Sequence, residues 1–303
     1  MRTLSLVAVL LTFVVVVVGA YVRLSDAGLG CPDWPFCYGK ALPADIADRD
    51  ALAKAWKEMG HRYLAGALGL LIAAIWVLSL KARRFVPLAT AIAVLVVFQA
   101  TLGMWTVTML LKPAIVTAHL LGGMTILALL LWLWLCQGAW RLKTHDLRSP
   151  AMLALIVVLV QIALGGWVSA NYAALACPDL PLCLGEAVPP MDFANAFHVV
   201  RELGQTSDGA LLSREALTAI HWSHRMFAVV VVLVVGWAAL RTFRVIASLG
   251  VALAALLLLQ FSLGVANVAF SLPLPLAAAH NAGAALLVCV LVVLNFFSFR
   301  KLQ

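Results

Sequence analysis

Long apolar runs alternate with short polar joints along this chain. Eight apolar stretches can be drawn, at about 4–22, 61–80, 86–110, 114–137, 151–171, 219–240, 245–270 and 275–299. Runs such as "LSLVAVLLTFVVVVVGAYV" and "ILALLLWLWL" leave no polar face for water. A helix of about 20 such residues crosses the hydrocarbon core of a bilayer. The pattern predicts an all-α integral membrane protein with eight transmembrane helices. Proline in "RFVP", "LKPA" and "LPLP" marks tight joints, because it interrupts a helix yet suits its first turn. Between spans one and two, "PADIADRDALAKAWKEMG" (43–60) reads as a short amphipathic helix feeding span two.

Composition agrees. The 303 residues are 64% hydrophobic and only 11% charged, against about 25% charged in a soluble domain. The net charge of +8 is spread over short joints: Arg2; Lys81, Arg83 and Arg84; Arg141, Lys143 and Arg148; Arg241 and Arg244; Arg300 and Lys301. All fall on one side, and the opposite short loops hold only Lys112. The positive-inside rule then places both termini in the cytoplasm and the two long loops (about 23–59 and 172–217) outside. That is the arrangement of a multi-pass protein of the cell inner (plasma) membrane. Such scattered basic residues do not form a nucleic-acid footprint. Span one has the Arg2 and apolar core of a signal peptide, but no small-x-small cleavage site, so it is expected to be retained.

The stretch "CPDWPFC" (31–37) returns as "CPDLPLC" (177–183), and Gly19 and Gly165 share that offset of 146. "QATLG" (99–103) matches "QFSLG" (260–264), "TAHLLGG" matches "AAHNAGA", and "GHRYLAG" (60–66) matches "SHRMFAV" (223–229), at offsets of 161 to 163. The change of offset is an insertion of 17 residues in the second long loop. The reading is two tandem parallel-repeat four-helix bundles, residues 1–145 and 146–303, N-in/C-in. On an outward face, Cys31–Cys37 and Cys177–Cys183 are expected as disulfides, structural or redox-active. Zinc fits such a side poorly. Cys136 and Cys289, inside spans, read as core residues.

Of seven histidines, His145 and His198 lie in loops and read as surface residues. His61, His119, His221, His224 and His280 sit near the starts of even-numbered spans, where an ionisable group usually marks a function. Spans two and four run the same way and lie diagonally in a bundle. His61 can therefore face His119, and His224 can face His280, as the axial pair of a haem iron. The plain alternative is a hydrogen-bonded contact between helices. Small residues at Gly66, Gly69, Gly122, Gly123, Ala282 and Gly283 would give a flat macrocycle room.

Arg62 and Arg225 follow two of these histidines directly. Each reads either as a partner for a haem propionate or as an interfacial arginine reaching water. Gln99 and Gln260 bond either a macrocycle or another helix. In "EMGH", Glu58 shares a helical face with His61; in "HWSH", His221 takes the matching place. The halves are thus chemically unequal, as an enzyme with one substrate site and one redox site requires. Glu58 reads as a proton-exchanging acid or as a helix cap. A di-iron site would need a second Glu-x-x-His and two more glutamates.

"GAYVRLSDAGLGCPDWPFC", "EMGHRYLAG", "TAHLLGG", "HWSHRMFA" and "AAHNAGA" together resemble the haem A synthase family along nearly the whole chain. The resemblance implies an oxidoreductase that converts a methyl group of haem O to a formyl group, giving haem A for cytochrome oxidase assembly. It implies sequential hydroxylation to a gem-diol that loses water. Carried over, Glu58 is catalytic, His61 and His119 bracket the substrate haem O, and His224 and His280 ligate a haem b cofactor. Arg62, Arg225, His221, Gln99 and Gln260 would stand around the two haems. Haem O synthase is a candidate donor of the substrate, with an electron acceptor and a homo-oligomeric state left open. Two rival readings are a di-haem b electron carrier and a haem carrier or transporter.

Overall fold

The computed structural model describes residues 1–43, 46–140 and 145–299, the side chain of His145 excepted. Arg141, Lys143, Arg300 and Lys301, used above for sidedness, lie outside the described residues. The helices are α1 (Arg2–Leu24), α2 (Arg49–Ala82), α3 (Val86–Thr108), α4 (Pro113–Cys136), α5 (Arg148–Ala170), the single turn α6 (Phe193–Ala196), α7 (Arg214–Phe243), α8 (Ala247–Ala269) and α9 (Leu274–Phe299). All but α6 are long and apolar enough to cross a membrane, which makes eight. Among the described residues there is no β-strand, only isolated bridges in the loops.

The short amphipathic helix expected to feed span two forms from Arg49, but not as an element distinct from the span. Instead α2 runs unbroken from Arg49 through Gly60 into the span. Asp48 caps it, accepting from the amides of Asp50 and Ala51 at 3.2 and 3.3 Å. Helix formers fill 50–59, and one glycine costs only about 1 kcal/mol in a helix interior. Likewise α7 starts at Arg214 under the Ser213 cap, whose Oγ accepts from Ala216 N at 3.1 Å. Both helices therefore project past their apolar spans, and the projecting turns of α2 carry Glu58.

Helices α1 and α3 each pack against both α2 and α4, closing a ring of four. Helices α5 and α8 each pack against both α7 and α9, closing a second. The rings meet where α4 touches α5, α1 touches α9, and α4 touches α9. Exchanging the two rings leaves this set of contacts unchanged. Helix α9 is 61% buried along its span, against 17% for α3 and α8, so α9 lies at the centre and α3 and α8 at the rim.

The shared core is built from Met124, Leu127, Leu130 and Leu133 of α4 and Leu287, Leu291 and Leu294 of α9. Ala151 and Ala154 of α5 are fully buried; small residues let helices approach closely in a membrane, where dispersion contacts drive association. Polar staples close the seam. Asn295 donates to the Ala151 carbonyl at 2.9 Å, and Arg148 to Ser298 at 2.9 Å. Arg23 of α1 donates to the Ser169 carbonyl of α5 at 2.8 Å, across 146 positions of sequence.

Candidate functional site

Each long loop opens with a small hairpin. Cys31 is bonded to Cys37, and Cys177 to Cys183. Cys136 and Cys289 take no part in disulfides. Backbone bonds pair Cys37 with Lys40 and Cys183 with Glu186, at 2.8 and 3.1 Å in each case. Gly39 (φ +72°) and Gly185 (φ +79°) turn these hairpins in the left-handed region that favours glycine. Asp33 accepts from the amides of Tyr38 (2.6 Å) and Gly39 (2.8 Å), and Asp179 accepts from Gly185 at 2.8 Å. Slight desolvation opposes ionisation of Asp33. The Gly39 and Tyr38 amides and the Arg62 charge together outweigh it, holding the carboxyl below its ordinary range.

The hairpins are clasped by the helices that follow them. Glu58, 4% exposed, accepts the Cys31 N–H at 2.8 Å and forms a buried ion pair with Arg62. Arg62 Nη1 donates to the carbonyls of Asp33 (2.9 Å) and Phe36 (2.7 Å). In the second half His221 takes the place of Glu58: its Nδ1 accepts the Cys177 N–H at 3.2 Å. Arg225 donates to the Asp179 carbonyl at 2.7 Å and to that of Cys177 at 3.4 Å. Sequence alone missed this clasp, because it joins residues 27 and 44 positions apart through backbone groups.

The remaining histidines share one construction. His61 lies against Gly19 of α1, His119 against Gly103 of α3, His224 against Gly165 of α5, and His280 against Gly264 of α8. A Cβ at those glycines would stand 2.8, 3.1, 3.0 and 3.2 Å from the ring Cε1, so each glycine makes room for an imidazole. His61 and His119 lie on α2 and α4 of one ring of helices, and His224 and His280 on α7 and α9 of the other. His198 is exposed in the second long loop.

Glutamines accompany three of the four. Gln99 donates to the His119 carbonyl at 2.6 Å, and Gln161 to the His224 carbonyl at 3.1 Å. Gln260 Nε2 lies 3.3 Å from His280 Nε2. Gln161 had a signal that went unread: "QIALG" (161–165) is a third copy of the "QATLG" pattern. Gly122 and Gly283, expected to make room for a macrocycle, instead make room for the Gln99 and Gln260 side chains. Gly66 and Gly69 do open on space, with nothing within 4 Å of where a Cβ would be.

All four Nδ1 atoms are closed off from solvent and have no hydrogen-bond partner among the described residues. A buried polar atom left so costs about 1–3 kcal/mol, and four in the same setting against a glycine call for a bound partner. Paired imidazoles are the donors an iron porphyrin takes, so the residues fit that group. No cluster of three or more His, Cys, Asp or Glu side chains that could hold a metal ion occurs among the described residues.

A model of the family described as "Cytochrome oxidase assembly protein" matches residues 2–292. The haem A synthase of Shewanella oneidensis is 42% identical over 97% of this chain and 96% of its own length. That of Caulobacter vibrioides is 28% identical over 92% and 90%, and that of Shouchella clausii 27% over 78% and 80%. The resemblance carried by the motifs thus extends over whole chains, and this protein belongs to the haem A synthase family of cytochrome oxidase assembly proteins.

Proposed function

We infer that this chain is a haem A synthase, a membrane enzyme that oxidises a methyl group of haem O to a formyl group, supplying haem A for cytochrome oxidase assembly. Family membership supports the reaction. The inequality of the two clasps supports the assignment of sites: a carboxylate stands one turn from His61, an imidazole one turn from His224. Among the described residues, only the first half has a buried acid beside its histidine pair. The substrate haem O is therefore placed between His61 and His119, in residues 1–145. Haem b is placed between His224 and His280, in residues 146–303. When bound there, haem b supplies one-electron redox capacity.

Glu58 is placed to hold and pass protons beside the substrate methyl group while it is oxidised stepwise to the aldehyde. Arg62, in contact with the same carboxylate, keeps it oriented. Arg62 and Arg225 hold propionates only through N–H groups that the loop carbonyls leave over. His221 and the glutamines order the surroundings of the two haems. The two rings of four helices are read as a tandem parallel repeat with both termini cytoplasmic and the disulfide loops outward from the inner membrane. Haem O synthase is the proposed source of substrate, and the reaction also needs an electron acceptor.

The test is extraction of haem from cells that make haem O and express this chain. Formylated haem should appear with the wild type and vanish with Glu58→Ala. Haem b should persist in Glu58→Ala and be lost in His224→Ala. If the wild type yields only haem b, the chain is an electron carrier; if it yields its haem unaltered, a haem carrier. Either result overturns the reading.

A further inference from the structure

The two rings of helices differ at the end away from the disulfide hairpins, read above as cytoplasmic. In the second ring that end is closed. The turn of 3-10 helix at His145–Leu147 packs against α5, α7 and α9. Arg148 donates to the Ser298 carbonyl at 2.9 Å and lies over the Phe299 ring. In the first ring a cavity of about 240 Å³ is found instead, lined by Met1, Arg2, Arg84, Phe85 and Gln137. Arg2 and Gln137 are the repeat counterparts of Arg148 and Ser298, at the offsets of 146 and 161. The bond that closes the second ring is thus not made in the first, and its arginine is left over.

Both guanidinium groups of the cavity are arranged for an anion. Arg2 lies over the rings of Trp134 and Trp140, 5.5 and 5.6 Å from their centroids, and Arg84 over that of Phe85 at 5.3 Å. Stacking occupies the flat face of a guanidinium and leaves its N–H fork free at the edge. Among the described residues neither fork has a hydrogen bond or an ion pair. Helices α1 and α3 also begin here, and their N-caps, Met1 and Phe85, supply no side-chain bond to the first turn. Those amides and the helix dipoles add positive potential. None of the five lining residues is acidic. Two planar forks of this kind suit the oxygens of a phosphate.

The level of the cavity decides where that phosphate comes from. It lies where α1 and α3 enter their apolar spans and α4 leaves its own, the depth at which a bilayer holds its headgroups. Trp134 and Trp140 are residues of the type that gathers at this boundary. Basic pockets between spans on the cytoplasmic side are where anionic headgroups lodge. We propose that Arg2 and Arg84 hold the phosphate group of one anionic phospholipid against the end of the first ring. The site is about 25 Å along α1 from Gly19 and its histidine, and it rests on no part of the haem reading.

The test uses the full chain, purified in detergent and stripped of lipid. Phosphatidylglycerol, phosphatidylcholine and inorganic phosphate are the probes. Bound lipid is counted by native mass spectrometry, and melting temperature is followed alongside. The wild type should retain one phosphatidylglycerol per chain in preference to phosphatidylcholine, and should melt higher with it. Arg2→Gln and Arg84→Gln should each weaken retention about tenfold. Arg83→Gln removes an exposed neighbour that does not line the cavity, and should weaken it less than about threefold. Arg2→Lys keeps the charge but gives up the planar fork; it should also retain less lipid, and serves if the glutamine variants fold poorly. Equal losses in all three glutamine variants would reduce the site to a general basic surface. Equal retention of the two lipids would remove the preference for an anion. Displacement of the lipid by an equal concentration of inorganic phosphate would assign the forks to a soluble anion. Any of these three results overturns the proposal.

Discussion

Replacing Glu58 by alanine removes two interactions at once. The Cys31 N–H loses its acceptor at 2.8 Å, and Arg62 loses its anionic partner. Both ends are shielded: Glu58 is 4% exposed and Cys31 is fully buried. A buried donor left unpaired costs about 1–3 kcal/mol, and removing one member of a buried ion pair costs about 3–5 kcal/mol. The two costs overlap, since one carboxylate serves both contacts, and Arg62 keeps its loop carbonyls. The expected loss is therefore about 3 kcal/mol, near the lower end for a broken buried pair. If the loop opens locally, that is a change of about two orders of magnitude in its opening equilibrium. Glu58→Gln keeps an acceptor oxygen for Cys31 and loses only the charge, so about 1–2 kcal/mol is expected. Thermal unfolding in detergent and the rate of proteolytic cleavage within 25–48 measure both variants. Alanine should lower the melting temperature and expose the loop; glutamine should largely protect the loop while haem A formation is lost. A Glu58→Ala protein that melts and resists protease like the wild type would refute the clasp. Full haem A formation by Glu58→Gln would refute the proton role.

His221→Ala leaves the buried Cys177 N–H unpaired but breaks no ion pair, so its cost should stay within about 1–3 kcal/mol, below that of Glu58→Ala, in the same melting assay. Reducing either disulfide opens a loop with a sequence separation of 6; chain entropy assigns each about 2 kcal/mol, readable as a lower melting temperature under reductant. Asp33 titrates below its ordinary value, so its ordering of the hairpin is present above the unfolded-state pKa and lost as pH falls through the lower folded value. Hydrogen exchange at Tyr38 and Gly39 should accordingly be protected at neutral pH and lose that protection in acid, whereas Asp33→Asn should weaken it at all pH values. The Lys112–Glu202 pair, at 2.8 Å with side chains 34% and 52% exposed, should contribute under about 1 kcal/mol, so Lys112→Ala should barely move the melting temperature.

The spans were legible because about 20 apolar residues admit one explanation, and the structure ends most of them within a few residues of the expected places. The starts of α2 and α7 were not. Their first turns carry Lys54, Lys57, Glu58 and Glu215, which lower the apolar signal without breaking the helix. The histidines stood out as costly residues in apolar surroundings. Their glycine partners did not, because a glycine in a membrane helix has several ordinary uses and its contact lies on another span. Glu58 was read as an acid near iron or as a cap; its grip on the Cys31 amide depends on a backbone group that no motif records.

The contact pattern gives the two members of each histidine pair different supports. His119 and His280 ride on α4 and α9, the helices that press together along the seam of the whole assembly. His61 and His224 ride on α2 and α7, which also grip the disulfide hairpins through Arg62 and Arg225. Each pair is therefore a vice with one stationary jaw and one jaw on a handle. A force applied to a hairpin therefore reaches the helix that carries one imidazole of each pair directly, and the other helix only through the central seam.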